Sequence, residues 1–207
     1  MTRESAADAK TTHRSFWREL PVLVIVAVLV AVLVRTFVVQ TFWIPSGSME
    51  QTLRVDDRVL VNKLVYDFRD PRRGEIVVFV APDSWRTNPN EKDFIKRVIG
   101  TPGDHVVCCD SQGRVTVNGR SLDEPYVYPG NAHGTPFDVV VPKGRLFVMG
   151  DHREISGDST KHLEDNSGTI PESSVVGRAF LIFWPVDRIR ILSVPPTFEN
   201  VPAPSGG

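Results

Sequence analysis

The chain has 207 residues, enough for one well-packed domain with tails and too few for two full domains of ordinary size. Its formal net charge at pH 7 is −1, so no basic surface points to a nucleic-acid partner. The five histidines lack zinc-ligand spacing, and the two cysteines, Cys108 and Cys109, are adjacent. We therefore expect no metal, no other cofactor and two ordinary thiols rather than a redox or cross-linking pair.

The first predicted element is a transmembrane helix over residues 19–39. Residues 20–34 contain no polar side chain, and the apolar run resumes after Arg35 and continues to Val39. Twenty helical residues span about 30 Å, the thickness of a bilayer core. A buried strand fits less well, because the run is long and does not alternate in polarity. A cleaved signal peptide fits less well, because no small-x-small site follows.

The charges that flank this helix predict its orientation. Four basic residues precede the helix: Arg3, Lys10, Arg14 and Arg18. In the twenty residues after Arg35, only Arg54 is basic. The positive-inside rule then makes residues 1–18 a cytoplasmic tail. We expect a single pass through the cell membrane, contact with its lipid, and the rest of the chain outside.

Residues 40–194 are predicted to form a mainly β, antiparallel domain. Short apolar runs separated by turn residues predict eight strands: 59–61, 76–80, 94–99, 105–107, 115–117, 139–141, 146–149 and 175–184. The dipeptide Asn118-Gly119 is a strong hairpin signal. No long helical period occurs after residue 45. Residues 195–207 are rich in proline and poor in apolar side chains, so we expect a disordered tail.

Ser48, nine residues beyond the predicted helix, is a candidate nucleophile. A serine hydroxyl needs a base to take its proton, and a lone serine in such a segment is more often a turn residue. The segment does not match the G-x-S-x-G elbow of α/β hydrolases. Two residues remain open as the base: His152, which follows Gly150-Asp151, and Lys96.

Lys96 lies in the predicted strand 94–99. Alternation places Lys96 with Phe94 and Val98 on one face and puts Arg97 on the other. Unless both cations reach water, one of them points into apolar surroundings. Burial would lower the pKa of a lysine from about 10.4 towards the range of about 7–8 that suits a base at neutral pH. The sequence leaves open whether Lys96 and Ser48 meet.

Four blocks of sequence, in order behind an N-terminal anchor, resemble those of bacterial type I signal peptidases. The first block, Pro45-Ser46-Gly47-Ser48-Met49, contains the candidate nucleophile Ser48. Lys96 is the first residue of the second segment of the third block. The matching segments are 45–49 with 52–53, 57–63, 73–79 with 96–104, and 149–153 with 156–159. The resemblance covers nearly all of the chain beyond its N-terminal tail and implies a β-rich catalytic domain on the outer leaflet.

The resemblance also implies a role for each matching residue. Ser48 would be the nucleophile and Lys96 the general base of a Ser-Lys dyad that forms an acyl-enzyme. The hydroxyl of Ser46 and the backbone N–H of Ser48 would form the oxyanion hole, and Ser156 would orient Lys96 by a hydrogen bond. Two carboxylates would support the site from behind: Asp151 and Asp158.

The implied substrates are the signal peptides of secreted preproteins, with small residues one and three positions before the cut. Shallow pockets for these residues would be lined by Ile44, Pro45, Met49, Leu53 and Ile95. The spacing from Val39 to Ser48 would select substrates held in the membrane. We expect the protein to act as a monomer.

The sequence departs from the family pattern at three places: Gln51, Glu154-Ile155 and Thr160. None of them is the nucleophile or the base. Since Lys96 matches the lysine position, His152 is not needed as the base. The alternative is a non-catalytic, membrane-anchored β binding module. A self-cleaving Ser-Lys protein of the repressor type has less support, because the anchor would place the domain away from DNA.

Overall fold

The computed structural model describes residues 12–33, 38–130 and 136–204. The chain divides into two compact units, Met1–Val39 and Gln40–Gly207. The first unit contains one helix, α1 (Thr12–Leu33), whose side chains from Val22 to Val30 are mostly apolar and exposed. Within the described ranges, no helix reaches both the length and the apolarity that a membrane span requires.

The predicted helix over residues 19–39 agrees with α1 only in part. Residues 19–33 are helical, whereas Val39 already belongs to the first β-strand. Residues 34–37 and most of the predicted cytoplasmic tail lie outside the described residues.

Twelve strands occur in the part of the chain that the structure describes. They are β1 (Val39–Trp43), β2 (Arg58–Asn62), β3 (Ile76–Val80), β4 (Asp93–Gly100), β5 (His105–Cys108), β6 (Val115–Val117), β7 (Arg120–Ser121), β8 (Phe137–Val140), β9 (Arg145–Met149), β10 (Ile170–Pro171), β11 (Val175–Trp184) and β12 (Arg190–Ile191). A single-turn helix, α2 (Val65–Phe68), and several 3-10 turns connect them. All eight predicted strands are present, and the prediction of a mainly antiparallel β domain is confirmed.

The strands form two sheets. The larger has the order β1-β2-β11-β3-β4-β9-β10 with β12 beside β11, and the smaller has the order β7-β6-β5-β8. β4 lies inside the larger sheet, antiparallel to β3 over residues 93–97 and to β9 from Arg97 onward. Both of its faces are covered: Ile95 and Val98 belong to different apolar clusters. A charged side chain on this strand is therefore forced away from water.

The C-terminal segment is packed within the second unit, so the prediction of a disordered tail is wrong for residues 195–204. Phe198 and Val201 are buried in the apolar cluster of the smaller sheet. The carbonyl of Pro202 accepts a hydrogen bond from the Asn118 side chain at 2.8 Å. Prolines lose little backbone freedom on folding, so two buried side chains suffice to hold the segment. Residues 205–207 lie outside the described residues.

The adjacent cysteines at the end of β5 also differ from expectation. Cys108 and Cys109 are joined by a disulfide bond across a cis peptide. The interpretation as two ordinary thiols is therefore wrong for this structure.

Candidate active site

Ser48 lies in the 3-10 turn Gly47–Met49, directly after β1. The turn is closed by hydrogen bonds from the backbone N–H groups of Glu50 to Gly47 and of Leu53 to Met49, at 2.9 and 2.8 Å. Met49 and Leu53 are fully buried in an apolar cluster. These apolar neighbours fix the turn from below and hold the Ser48 hydroxyl at the surface of the sheet.

Lys96 lies on β4 and is 4% exposed. Its Nζ is 2.9 Å from Ser48 Oγ and 3.1 Å from the carbonyl oxygen of Ile95. Burial lowers the pKa of Lys96 from 10.5 to about 8, against the opposing charges of Asp158, Glu91 and Asp151. About a tenth of the amine is then neutral at pH 7, compared with well under a thousandth for an unperturbed lysine. The structure thus brings together two residues that are 48 positions apart in the sequence.

Arg97, the next residue on β4, is buried on the opposite face at 2% exposure. Its guanidinium binds both carboxylate oxygens of Asp151, at 2.9 and 2.6 Å, and the carbonyl of Gly74 at 2.9 Å. It also stacks over the ring of Tyr126, 4.2 Å from the centroid. The alternation predicted for this strand is present, but both cations are buried rather than one.

Asp151 and Asp158 are both fully buried behind the dyad, where the resemblance placed them. Asp151 pairs with Arg97 and does not contact Lys96 directly. Asp158 accepts hydrogen bonds from the backbone N–H of Gly150 at 2.8 Å and from the Thr160 hydroxyl at 2.8 Å. Thr160, which departs from the family pattern, therefore donates a hydrogen bond to the buried Asp158 carboxylate.

Gly150, the second residue of the last family block, occupies a position where a side chain does not fit. A Cβ at this position would collide with the backbone oxygen of Ser48 and with Ser156 Oγ. The backbone of β9 can therefore approach the nucleophile only without a side chain at this residue.

Ser156 is buried beside this glycine, 1% exposed, but its hydroxyl has no hydrogen-bond partner in the described parts of the chain. The expected hydrogen bond from Ser156 to Lys96 is not formed. Lys96 Nζ instead contacts Ser48 and the carbonyl of Ile95. Ser156 Oγ is thus a buried acceptor and donor that the resting site does not use.

Ser46 stands beside the nucleophile, with its Oγ 3.4 Å from Ser48 Oγ. It is exposed, and its extended backbone precedes the 3-10 turn. Ser48 is the second residue of that turn, a position whose backbone N–H the turn itself does not use. Both groups are donors that a developing oxyanion could use.

A cleft of about 350 Å³ opens onto the dyad. One wall is the segment 45–48, another is residues 93–96 of β4 with Trp85, and Ile155 and Gly157 complete it. Of the five predicted pocket residues, Pro45 and Ile95 line this cleft. The other three are buried beneath it, 0–2% exposed: Ile44, Met49 and Leu53. They support the nucleophile turn from below, and their role as pocket lining stays a prediction.

Several residues of the cleft were not identified by sequence reasoning, among them Trp85, Glu91, Asp93 and Ile155. Trp85 is buried and stacks on His162, with ring centroids 4.6 Å apart. Ile155 is 57% exposed and lines the cleft, so its side chain faces space that a ligand could occupy. Its place between the two segments of the last family block, 149–153 and 156–159, is the sequence signal that could have found it.

His152 has a different role from the base. Its ring stacks on Tyr128, 4.1 Å between centroids, and its Nδ1 is 3.3 Å from Glu50 Oε2. Its contact with Ser48 is through the backbone, where the His152 N–H donates to the Ser48 carbonyl at 3.1 Å. His152 thus braces the nucleophile turn.

The edge of β4 beside the cleft is open. Residues 93–96 pair with β3 on one side, but β9 joins the other side only from Arg97 onward. Backbone groups on such an edge can pair with an added peptide strand.

Comparisons with known proteins identify relatives of this chain over most of its length. The family model described as signal peptidase, peptidase S26, matches residues 17–184. A probable signal peptidase I-2 of Synechocystis sp. is 41% identical over 195 residues, covering 93% of this chain and 85% of the relative. Signal peptidase I of Mycobacterium tuberculosis is 36% identical over 227 residues, covering 87% and 77%.

A crystal structure of a signal peptidase I from Enterococcus faecalis V583 superposes on 53% of this chain and 97% of that chain, with a TM-score of 0.40 and 29% identity. The family assignment itself rests on the sequence matches, which extend over most of the chain. This chain therefore belongs to the signal peptidase family, peptidase S26, and is a serine endopeptidase.

Proposed function

We propose that this chain removes N-terminal signal peptides from secreted preproteins by means of a Ser48–Lys96 dyad and a covalent acyl-enzyme. The observation that carries the proposal is the 2.9 Å distance between Ser48 Oγ and Lys96 Nζ. That distance lies in the range expected for a nucleophile and its base. The relatives named signal peptidase I support the choice of substrate.

In the first step, neutral Lys96 accepts the Ser48 proton while Ser48 Oγ attacks the carbonyl carbon of the scissile bond. The lowered pKa of Lys96 makes the neutral amine available near neutral pH. The carbonyl of Ile95 accepts an N–H of the amine, which aims the nitrogen lone pair at the serine hydroxyl.

The tetrahedral intermediate places negative charge on the former carbonyl oxygen. The backbone N–H of Ser48 and the hydroxyl of Ser46 are the donors nearest to that position. One well-placed donor of this kind lowers the barrier by about 2.7–4 kcal/mol. The Ser46 hydroxyl contributes by turning from Ser48 Oγ towards the new oxyanion.

The intermediate collapses when the Lys96 ammonium gives its proton to the leaving amine. The C–N bond breaks, and the signal peptide remains attached to Ser48 as an ester. Neutral Lys96 then takes a proton from water, and the hydroxide oxygen attacks the ester carbon. The ester C–O bond breaks as the Lys96 ammonium returns its proton to Ser48 Oγ, which releases the signal peptide and restores the neutral dyad. Asp158 and Asp151 lie close enough to favour the ammonium electrostatically, so they stabilise the proton on Lys96 between the two transfers.

The substrate would bind as an added strand along the open edge of β4. Because β9 closes this edge from Arg97 onward, only the direction parallel to β4 gives room for the residues before the cut. The scissile bond then lies beside Lys96, and earlier residues lie beside 93–95. Pro45, Ile95 and Ile155 leave limited space around this strand, which supports the preference for small residues one and three positions before the cut.

We also propose that residues 19–39 anchor the chain in the cell membrane, with the N-terminus in the cytoplasm and the catalytic unit outside. The run of fifteen apolar residues at 20–34 and the exposed apolar side chains of α1 support this anchor. The basic residues that precede it support the orientation. In this arrangement the enzyme and its membrane-held substrates are confined to one surface.

The test is cleavage of a synthetic preprotein by the full chain in detergent, followed by N-terminal sequencing of the product. We expect a cut after a small residue, and no product from Ser48→Ala. Ser173→Ala, which removes an exposed serine outside the site, should cleave like the wild type. Normal cleavage by Ser48→Ala would refute the dyad.

A further inference from the structure

Two carboxylates stand at the end of the cleft that precedes Lys96 in the β4 direction: Glu91 and Asp93. We call this pair the acidic rim. Both residues are exposed and line the cleft. In the described ranges, neither side chain has a hydrogen-bond or ion-pair partner. Lys92 lies between them in the sequence and is not among the residues that line the cleft.

The charges along the cleft are therefore unequal. The cationic side chain among the described lining residues is Lys96, which is buried at the far end and partly neutral near pH 7. Burial lowers the pKa of the Lys96 amine, and the negative charge of Glu91 raises it by a smaller amount. The field of the acidic rim thus extends along the cleft.

The strand direction decides which substrate residues meet the acidic rim. A peptide parallel to β4 advances about 3.3 Å per residue, so the three residues from Asp93 to Lys96 span about 10 Å. With the scissile bond beside Lys96, the acidic rim lies beside side chains about four to six residues before the cut. These positions precede the small residues that the pockets at Ile95 would hold.

We infer that the acidic rim selects preproteins by charge, favouring a lysine or arginine about four to six residues before the cut and disfavouring an aspartate or glutamate there. This inference rests on the proposed function, because it needs a peptide bound along β4. Opposite charges attract and like charges repel across such an exposed rim, and salt screens both effects. The acidic rim therefore acts on discrimination between substrates, while the dyad performs the chemistry.

The experiment uses the full chain in neutral detergent and three sets of matched peptides. All peptides have alanine one and three positions before the cut and differ only in one residue, lysine, glutamine or glutamate, placed four, five or six positions before it. At low ionic strength we expect kcat/KM for the lysine peptide to exceed that for the glutamate peptide by about tenfold at the most sensitive position. At about 1 M salt the ratio should fall close to one.

The double variant Glu91→Gln/Asp93→Asn should bring the lysine-to-glutamate ratio close to one even at low ionic strength. Asp67→Asn removes an exposed carboxylate on α2, away from the cleft, and should leave the ratio unchanged. Because the ratio is taken within each variant, any change in Lys96 basicity that follows the loss of Glu91 cancels.

Equal kcat/KM for the lysine and glutamate peptides in the wild type would overturn the inference. So would a ratio that survives in the double variant. Cleavage of none of the peptides by folded wild-type protein would instead overturn the proposed function.

Discussion

The two faces of β4 bury neighbouring cations with opposite outcomes. Arg97 meets the Asp151 carboxylate in a two-point ion pair, and Lys96, equally buried, meets the Ser48 hydroxyl and the carbonyl of Ile95. Burial disfavours both charges, but the charge and hydrogen bonds of Asp151 outweigh it and raise the pKa of Arg97. For Lys96 burial dominates and lowers the pKa to about 8. A buried cation that is paired with a carboxylate stays charged and supports the fold. A buried cation without a carboxylate partner can lose its proton and act as a base.

The largest expected effect is on the reactive face. Lys96→Met keeps the length and apolar stem of the side chain but removes the base, so kcat/KM should fall by about 10⁴-fold or more. Cleavage of the synthetic preprotein measures it. The matched control, Lys143→Met, removes an exposed lysine and should retain activity. Residual activity within tenfold of the wild type would mean that Lys96 is not the base, so the two faces of β4 would not differ in function.

A substitution on the face of β4 that carries Arg97 should lower the stability of the fold. Arg97→Met leaves the Asp151 carboxylate buried without its partner, so the free energy of unfolding should drop by about 3–5 kcal/mol. Denaturant titration of the purified chain measures the change. Arg120→Met, at an exposed arginine, should change it by less than about 0.5 kcal/mol. A loss as small as that control would mean that the ion pair does not hold the fold.

Lys96→Met should raise the free energy of unfolding, whereas Arg97→Met should lower it. The folded pKa of about 8 lies below the unfolded value of about 10.4, so the unfolded chain binds the proton more tightly. The resulting penalty is fully present below pH 8 and fades as the pH rises towards 10.4. Its removal should stabilise the variant by up to about 3 kcal/mol at pH 7, with no gain above about pH 10.5. Denaturant titrations at both pH values decide this, and a destabilised variant at pH 7 would contradict the account.

The smallest expected effect is a shift in pH dependence. For the wild type, kcat/KM should rise with pH through an apparent pKa of about 8, because only neutral Lys96 acts as base. Glu91→Gln removes a charge that raises the pKa of Lys96, so this limb should move to lower pH. Asp67→Asn should leave it in place. A shift of this limb to higher pH in Glu91→Gln would contradict the expectation that the Glu91 charge raises the pKa of Lys96.

The sequence predicted the strand pattern, and it singled out the two residues that the structure brings together, for identifiable reasons. Each of the eight predicted strands has a short apolar run bounded by turn residues, which local propensity is sufficient to specify. Ser48 and Lys96 stand in blocks that resemble the signal peptidases, and the family matches confirm that resemblance. Membership in a peptidase family also removes the alternative of a non-catalytic binding module.

The errors arise where distant residues decide the environment. Arg97 is buried because Asp151, 54 residues away, pairs with it, and alternation along one strand carries no such information. The C-terminal segment is ordered by Phe198 and Val201, whose partners come from the smaller sheet. Composition alone does not reveal these contacts.

Ser156 is the one catalytic neighbour whose implied hydrogen bond is absent. Its hydroxyl is buried next to Gly150 and does not bind Lys96 in the resting site. A role for Ser156 during the reaction remains a prediction, and it would require the Lys96 amine to rotate after it takes the Ser48 proton.

Lys96 is buried without a carboxylate in direct contact, so its ammonium form should be a stronger acid in the folded enzyme than that of an ordinary lysine. Titration of the lysine Nζ signals of the full chain by NMR, with Lys96 assigned from its absence in Lys96→Met, tests this most directly. We expect the Lys96 signal to titrate near pH 8, well below the value of about 10.4 for an ordinary lysine. A Lys96 signal that titrates near about 10.4 would contradict this expectation.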